Sequence, residues 1–497
     1  MFYTSTRDTS IKVSSSEAIA KGISAEGGLF VPEAIPLLAP GQIDGLCAMS
    51  YIERAKNILA MYLTDFSQQE LDYCVNGAYA PGKFSSEKVA QLKKLNDKAS
   101  VLELWRGPTC AFKDMALQLL PYLLTTAAGK TVKDKTVVIL VATSGDTGKA
   151  ALEGFKDVEK TKIMVFFPND GVSPMQKLQM TTQEGENVAV CAINGNFDDA
   201  QSGVKAIFTD EKVLKKLEEN GLMFSSANSI NWGRLVPQIV YYISAYCEMI
   251  NSGEIKNGDK INIAVPTGNF GNILAAYYAM RMGIPVNRLI CASNANNVLT
   301  DFIETGIYDK NRKFYTTASP SMDILISSNL ERLLFELCGR DDGKINEWMA
   351  ALKSEGKYSV DAEILKKIKE VFVGGCCDDT LTAQTIGKVF KEENYLCDTH
   401  TAVGVRVYEE YADKTGDETK TVIASTANPY KFAKAVLSAV GGSECDDEFE
   451  RLDILRQTTG EECPVQLSSL KTKSVRFSKC CEKDEMSNAV LSMLGIE

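Results

Sequence analysis

Lys113 opens an apolar helical run directly after a Gly107-Pro108-Thr109 turn, within LELWRGPTCAFKDMALQLLPYLL (102–124). A lysine at a helix start is unusual, because its charge opposes the positive end of the macrodipole. Free lysine titrates at ~10.4, so an amine that reacts near neutrality must be desolvated or held as a Schiff base. Three other segments carry a small polar loop between a β-rich run and a helical one. The first is TVVILVATSGDTGKAALEGF, with loop Thr143-Ser144-Gly145-Asp146-Thr147-Gly148. The second is INIAVPTGNFGNILAAYYAM, with loop Pro266-Thr267-Gly268-Asn269-Phe270-Gly271. The third is TVIASTANPYKFAKAVL, with loop Ser425-Thr426-Ala427-Asn428-Pro429. Free backbone N–H groups and the helix terminus make each junction a candidate anion site. Glycine there lets a phosphate approach the backbone closely.

Any one of these junctions alone is an ordinary tight turn between strand and helix. Three together, rich in hydroxyls and amides, favour a small anionic ligand. Two familiar phosphate motifs are missing. A Walker A loop needs Gly at 143 and Ser/Thr at 150, where the chain has Thr143 and Ala150. Gly268 and Gly271 give only G-x-x-G, short of the dinucleotide fingerprint. A monophosphate-bearing cofactor is therefore more attractive than a nucleotide. A phosphate cradle with a Schiff-base lysine is the minimum equipment for pyridoxal 5'-phosphate chemistry.

Such groups need strand ends brought to one place. Thr136–Val141, Ile163–Phe167, Val188–Ile193, Ile261–Val265, Leu289–Ala292 and Thr421–Ala424 are apolar runs without strict alternation. Runs of that kind suit strands buried on both faces of a parallel sheet, and intervening segments are long enough for crossover helices. The fold class is α/β, wound on both sides, with ligands expected beyond the carboxyl ends of the strands. Apolar spacing predicts a helix over 51–63, and Ala80-Pro81-Gly82 reads as a hinge. The more charged region 341–395 reads as a surface helical insert.

Composition narrows the function. The chain has 497 residues and a net charge of -11, too long for one core and too acidic to favour nucleic acid. The stretch 235–250 is too short to span a bilayer, so no membrane partner is expected. The first residues lack a signal-type apolar core. Fourteen cysteines without a CxxC pair read as reduced, which points to a cytoplasmic protein. With His400 the single histidine, sites built on several His are excluded, and no metal is expected.

The ordered motifs YTSTR (3–7), GGLFVP (27–32), GPTCAFKD (107–114), TSGDTG (143–148), NSINWGR (228–234), PTGNFGN (266–272), SPSMDILISSNLERLLF (319–335), DTHTAVG (398–404) and STANPYKF (425–432) resemble threonine synthase. This family comprises pyridoxal-phosphate enzymes of fold type II, and the likeness is to its longer branch. The resemblance implies two open twisted sheets with helices on both faces, as in tryptophan synthase β, plus an N-terminal domain over 1–95. The catalytic region would be 96–497, with a smaller α/β domain at about 136–240. A larger one would take about 96–135 and 241–497. Lys113 would hold the cofactor and shuttle protons, while Gly268, Asn269, Phe270, Gly271 and Asn272 wrap its phosphate. Thr426 would bond the pyridine nitrogen. Ser144, Asp146 and Thr147 would take the substrate carboxylate, and Asn228, Ser229 and Arg234 its phosphate. The implied reaction turns O-phospho-L-homoserine and water into L-threonine and phosphate, in a monomer or homodimer. The family usually has His where this chain has Asn428, and Pro where it has Thr399. His400 reads as structural.

Two other readings use the same residues. One is a different fold type II lyase acting on a hydroxy or phospho amino acid. The other is a nucleotide or anion-binding module without catalysis.

Overall fold

The computed structural model describes residues 1–132, 135–143, 145–170 and 172–496. Each of the six apolar runs is a strand, at Thr136–Ala142, Thr161–Pro168, Val188–Ile193, Ile261–Pro266, Val286–Ser293 and Thr421–Ser425. They divide between two sheets. One runs in the order Cys480–Cys481, Val188–Ile193, Thr161–Pro168, Thr136–Ala142, Leu222–Ser225, with every neighbour parallel. The other runs Phe372–Cys376, Val286–Ser293, Ile261–Pro266, Thr421–Ser425, Ala99–Glu103, Gln91–Lys94. Its pairings are parallel except for the antiparallel edge strand Gln91–Lys94.

Every residue of Ile261–Pro266, Thr421–Ser425 and Ala99–Glu103 is buried, as helices covering both faces of a parallel sheet require. These three strands are adjacent and point the same way. Their carboxyl ends therefore leave from one edge, and they carry the Gly268 loop, Thr426 and the turn leading to Lys113. The Thr143–Gly148 loop leaves the other sheet.

The structure corrects the sequence boundaries in three places. Phe372–Cys376 lies inside the expected surface insert, yet it is an edge strand of the larger sheet. Its Gly374 and Gly375 are explained by close packing: added Cβ atoms would stand 3.0 Å from Thr300 Cα and 2.5 Å from Val407 Cγ1. Cys480–Cys481 falls within the range given to the larger domain but pairs with Val188–Ile193 of the smaller sheet. Met486, Val490 and Leu494 follow it onto that sheet's apolar face. Gln91–Lys94 was placed with the N-terminal domain and instead belongs to the larger sheet.

The N-terminal helices begin where the sequence caps them. Ser14, Ser50 and Ser67 each close a capping box with Glu17, Glu53 and Glu70, and the predicted 51–63 helix is Tyr51–Tyr62. This part is anchored to the rest through Trp232, whose ring meets Tyr3, Tyr62 and Tyr278 at centroid distances of 5.4, 5.6 and 5.7 Å. Arg7 also holds Glu331 in a two-bond fork, at 3.0 Å from Nε and 2.8 Å from Nη2.

Candidate active site

Lys113 caps the short helix Asp114–Leu117 and its side chain is only 11% exposed. Its Nζ donates to Ser321 Oγ at 3.2 Å and lies 3.8 Å from Asp146 Oδ2. Burial pushes the amine down to about 8; Asp146 opposes that shift, while the cations of Lys431 and Arg234 add to it. The loop carrying Lys113 is tied from within. Asp114 accepts from Thr109 N at 2.8 Å and from Thr109 Oγ1 at 2.7 Å. Burial pushes that carboxyl up to about 6, against the Thr109 bonds.

Ser321 also marks how close Lys113 lies to the second junction. A Cβ at Gly268 would stand 2.7 Å from the Ser321 carbonyl oxygen, so one serine touches the lysine and seats the glycine loop. Phe270 takes the left-handed conformation, with φ of 64°, and this turns the chain into helix Gly271–Met282. The first amides of a helix have no partner within it. The Asn272 side chain is held by Tyr241 and Tyr242 hydroxyls at 2.7 and 2.5 Å on Oδ1. Its Nδ2 is buried without a hydrogen-bond partner.

The cradle is coupled to the segment before Arg234. Asn329 Nδ2 donates to Asn269 O and to Ser229 O, both at 3.2 Å. Arg332 holds Asn329 Oδ1 at 2.5 Å and reaches back to Phe30 O at 3.0 Å, in the strand Phe30–Pro32 that pairs antiparallel with Tyr3–Ser5. Asn228 and Ser229 are partly exposed, just before helix Trp232–Asn251. Arg234 is buried. Its Nη1 donates to Ala227 O and its Nε has no partner. Burial pushes the guanidinium down to about 10.

The Thr143–Gly148 loop is tied within itself and to Lys431. Thr143 Oγ1 accepts from Gly145 N at 3.0 Å and Gly148 N at 2.9 Å. Gly145 has φ of 139°, which only glycine adopts readily. Asp146 Oδ1 pairs with Lys431 Nζ at 2.7 Å and accepts from Gln176 Nε2 at 3.1 Å. Burial opposes that charge, but Lys431 and Lys113 hold the carboxyl well below the usual range. An ionised carboxylate repels a substrate carboxylate, so the side chain of Asp146 cannot embrace one. Thr147 is partly exposed beside it, and Ser144 lies outside the described residues.

Three family models match. "Threonine synthase N terminus" covers residues 2–79, "Pyridoxal-phosphate dependent enzyme" 87–427, and "Threonine synthase, C-terminal" 401–490. Threonine synthase of Saccharomyces cerevisiae is 36% identical over 518 residues, covering 98% of this chain and 97% of that one. The chain belongs to the threonine synthase family. A PLP-bound threonine synthase from Brucella melitensis superposes with a TM-score of 0.87 at 36% identity, covering 99% of this chain and 98% of that one. Threonine synthase-like 1 of Homo sapiens is 40% identical over 442 residues, 87% of this chain. This chain spans 58% of the length of that relative. The two-sheet α/β architecture is that of fold type II.

Both departures from the threonine synthase pattern have local structural work. Asn428 Oδ1 accepts from Tyr430 N at 3.0 Å and caps the turn Pro429–Phe432. Thr399 is the first residue of helix Thr399–Thr415, a position that needs no donor and suits Pro equally. His400 Nε2 faces the Ser321 N–H at 3.2 Å. An N–H can only donate, so Nε2 must accept and the ring proton sits on Nδ1, 2.8 Å from Asp398 Oδ1. That tautomer orients Ser321. Thr426 is buried, and its carbonyl accepts from Phe112 N at 2.8 Å, joining its loop to the lysine loop.

Sequence reasoning missed Ser321, Lys431 and Gln176 as parts of the site. Ser321 and Lys431 lie in quoted motifs, but no local pattern tells a buried lysine from a solvated one.

Among the described residues, no group of three His, Cys, Asp or Glu is placed to hold a metal ion, and no helix is long and apolar enough to cross a membrane. The residues do fit pyridoxal phosphate. The cradle has helix-start amides with no partner inside the helix, glycine where a Cβ would collide, an unpartnered buried donor in Asn272 Nδ2, and a desolvated amine beside it.

Proposed function

We propose that this chain is a threonine synthase, a lyase that holds pyridoxal 5'-phosphate on Lys113. It converts O-phospho-L-homoserine and water to L-threonine and phosphate, by γ-elimination followed by addition of water at the β carbon. What carries this reading is the contact of Lys113 and the Gly268 loop with one residue, Ser321. When bound, the cofactor supplies an aldehyde and a conjugated ring that draws electrons from the substrate's α carbon.

The chain's own residues do the rest. Lys113, whose amine burial brings closer to neutrality than a solvated lysine, would move protons at the α and β carbons. The amides of Gly268 to Asn272 receive the cofactor phosphate. The Thr426 hydroxyl bonds the ring nitrogen, a neutral partner that leaves the ring a weaker electron sink than a carboxylate would. The start of helix Asp146–Phe155, with Thr147 and Ser144, receives the substrate carboxylate through main-chain and hydroxyl donors. Arg234, with Asn228 and Ser229, receives the substrate phosphate. Approach of the small-sheet domain to the larger one excludes water until phosphate has left. We read the protein as cytoplasmic, monomeric or homodimeric, and acting on a small molecule rather than nucleic acid or a membrane; sedimentation of the purified chain tests the assembly.

The experiment is a product assay with phosphohomoserine, phosphoserine and serine. Threonine should form from phosphohomoserine alone. Arg234→Ala should lower kcat/KM by at least ~100-fold, the loss expected for a bidentate phosphate contact in a dry site, while retaining cofactor absorbance. Turnover of serine without threonine formation sinks the proposal.

A further inference from the structure

Lys431 is a fully buried cation that shares the Asp146 carboxylate with Lys113. It lies in the turn after Thr421–Ser425, with 0% side-chain exposure. Its Nζ donates to Thr109 O at 3.1 Å and pairs with Asp146 Oδ1 at 2.7 Å. Thr109 is pinned by Asp114, and the two loops are joined by Phe112 N to Thr426 O at 2.8 Å and Asn428 N to Cys110 O at 3.0 Å. Lys113 and Lys431 thus ride on one rigid piece of the larger sheet. Asp146 comes from the smaller sheet and faces both.

The two carboxylate oxygens are divided between them. Oδ1 is taken by Lys431 and by Gln176 at 3.1 Å. Oδ2 is left at 3.8 Å from Lys113 and 3.5 Å from the Ser321 hydroxyl, too far for a full ion-pair hydrogen bond. We propose that Lys431 is a positioning residue: by engaging Asp146 it keeps that carboxylate from capturing Lys113, leaving the Lys113 amine free to form a Schiff base.

The charged groups facing Lys113 are Asp146 from the smaller sheet, Lys431 and Arg234 as cations, and Asp114 beside it. His400 reaches it only through Ser321, as a neutral acceptor. Without Lys431, Asp146 would turn its full charge to Lys113 and stabilise the ammonium. Without Asp146, only cations and the Asp114 carboxyl would remain, and the ammonium would be disfavoured. Two single substitutions therefore move one property in opposite directions, which a general loosening of the site does not do.

The test is competitive acetylation of the full-length chain, stripped of bound small molecules, across a pH series, with the Lys113 peptide read by mass spectrometry. This titration does not depend on the proposed reaction. If the product assay fails while these shifts appear, the reaction assignment is wrong and the role of Lys431 stands. Lys431→Met should raise the Lys113 midpoint by about one pH unit, a tenfold loss of free amine at neutral pH. Lys431→Arg should restore it, and Asp146→Asn should lower it below the parent value. An unmoved or lowered midpoint in folded Lys431→Met overturns the proposal. Should that variant fail to fold, an unmoved or raised midpoint in Asp146→Asn overturns it, and a lowered one supports it.

Discussion

At the scale of single residues, Lys113 is held in conflict: desolvation disfavours its charge, and Asp146 only partly restores it. This has a stability consequence with a definite sign. The folded value, about 8, lies below the ~10.4 of the unfolded chain, so the unfolded state binds the proton more tightly. The resulting cost is full below pH ~8 and fades as pH rises toward ~10.4. Lys113→Met should therefore stabilise the ligand-free chain at pH 7, by an amount on the order of 1–3 kcal/mol, and raise its Tm accordingly. That gain should shrink to near zero by pH ~10.5. Thermal unfolding of both proteins at the two pH values checks this; an equal gain at both would mean the lysine's charge is not what costs stability. Lys113 itself was legible because a lysine at a helix start violates a simple electrostatic preference. Lys431 was not, because its burial is a property of two loops 300 residues apart in sequence, roughly, and no spacing rule reaches that far.

At the scale of elements, the cradle rests on a loop with no spare room. Gly268→Ala places a Cβ against the main-chain oxygen of Ser321 at 2.7 Å, and the Ser321 amide is itself fixed by His400. Gly271→Ala meets side-chain atoms alone, Asn329 Nδ2 at 3.4 Å and Gln238 Nε2 at 3.9 Å, both ordinary contacts. Titration with pyridoxal phosphate should show affinity falling by about tenfold or more in the first variant, ~1.4 kcal/mol, and changing little in the second. Equal effects would contradict the role given to Ser321. The six central strands were legible because each is an unbroken apolar run. Phe372–Cys376 was hidden by its two glycines, and Gln91–Lys94 by the polar composition that an exposed edge strand tolerates. Asp146 was half legible for a similar reason: its loop could be read, but its partner Lys431 could not.

At the scale of the whole molecule, an acidic chain of net charge -11 gathers Lys113 and Lys431 around one firmly ionised carboxylate, Asp146, with Arg234 near enough to Lys113 to oppose its charge. That local positive charge suits the two phosphate-bearing molecules that the proposed reaction would bring together. The N-terminal strand Phe30–Pro32 contributes through Arg332, which links Phe30 to Asn329 and so to both the cradle and Ser229. All of this presumes that the cofactor is carried at position 113. Borohydride reduction of the protein saturated with pyridoxal phosphate, followed by peptide mapping, tests that directly. The account predicts a single stoichiometric pyridoxyl mark on Lys113 and loss of the visible absorbance band. A mark scattered over surface lysines, or an unmodified Lys113, would contradict it.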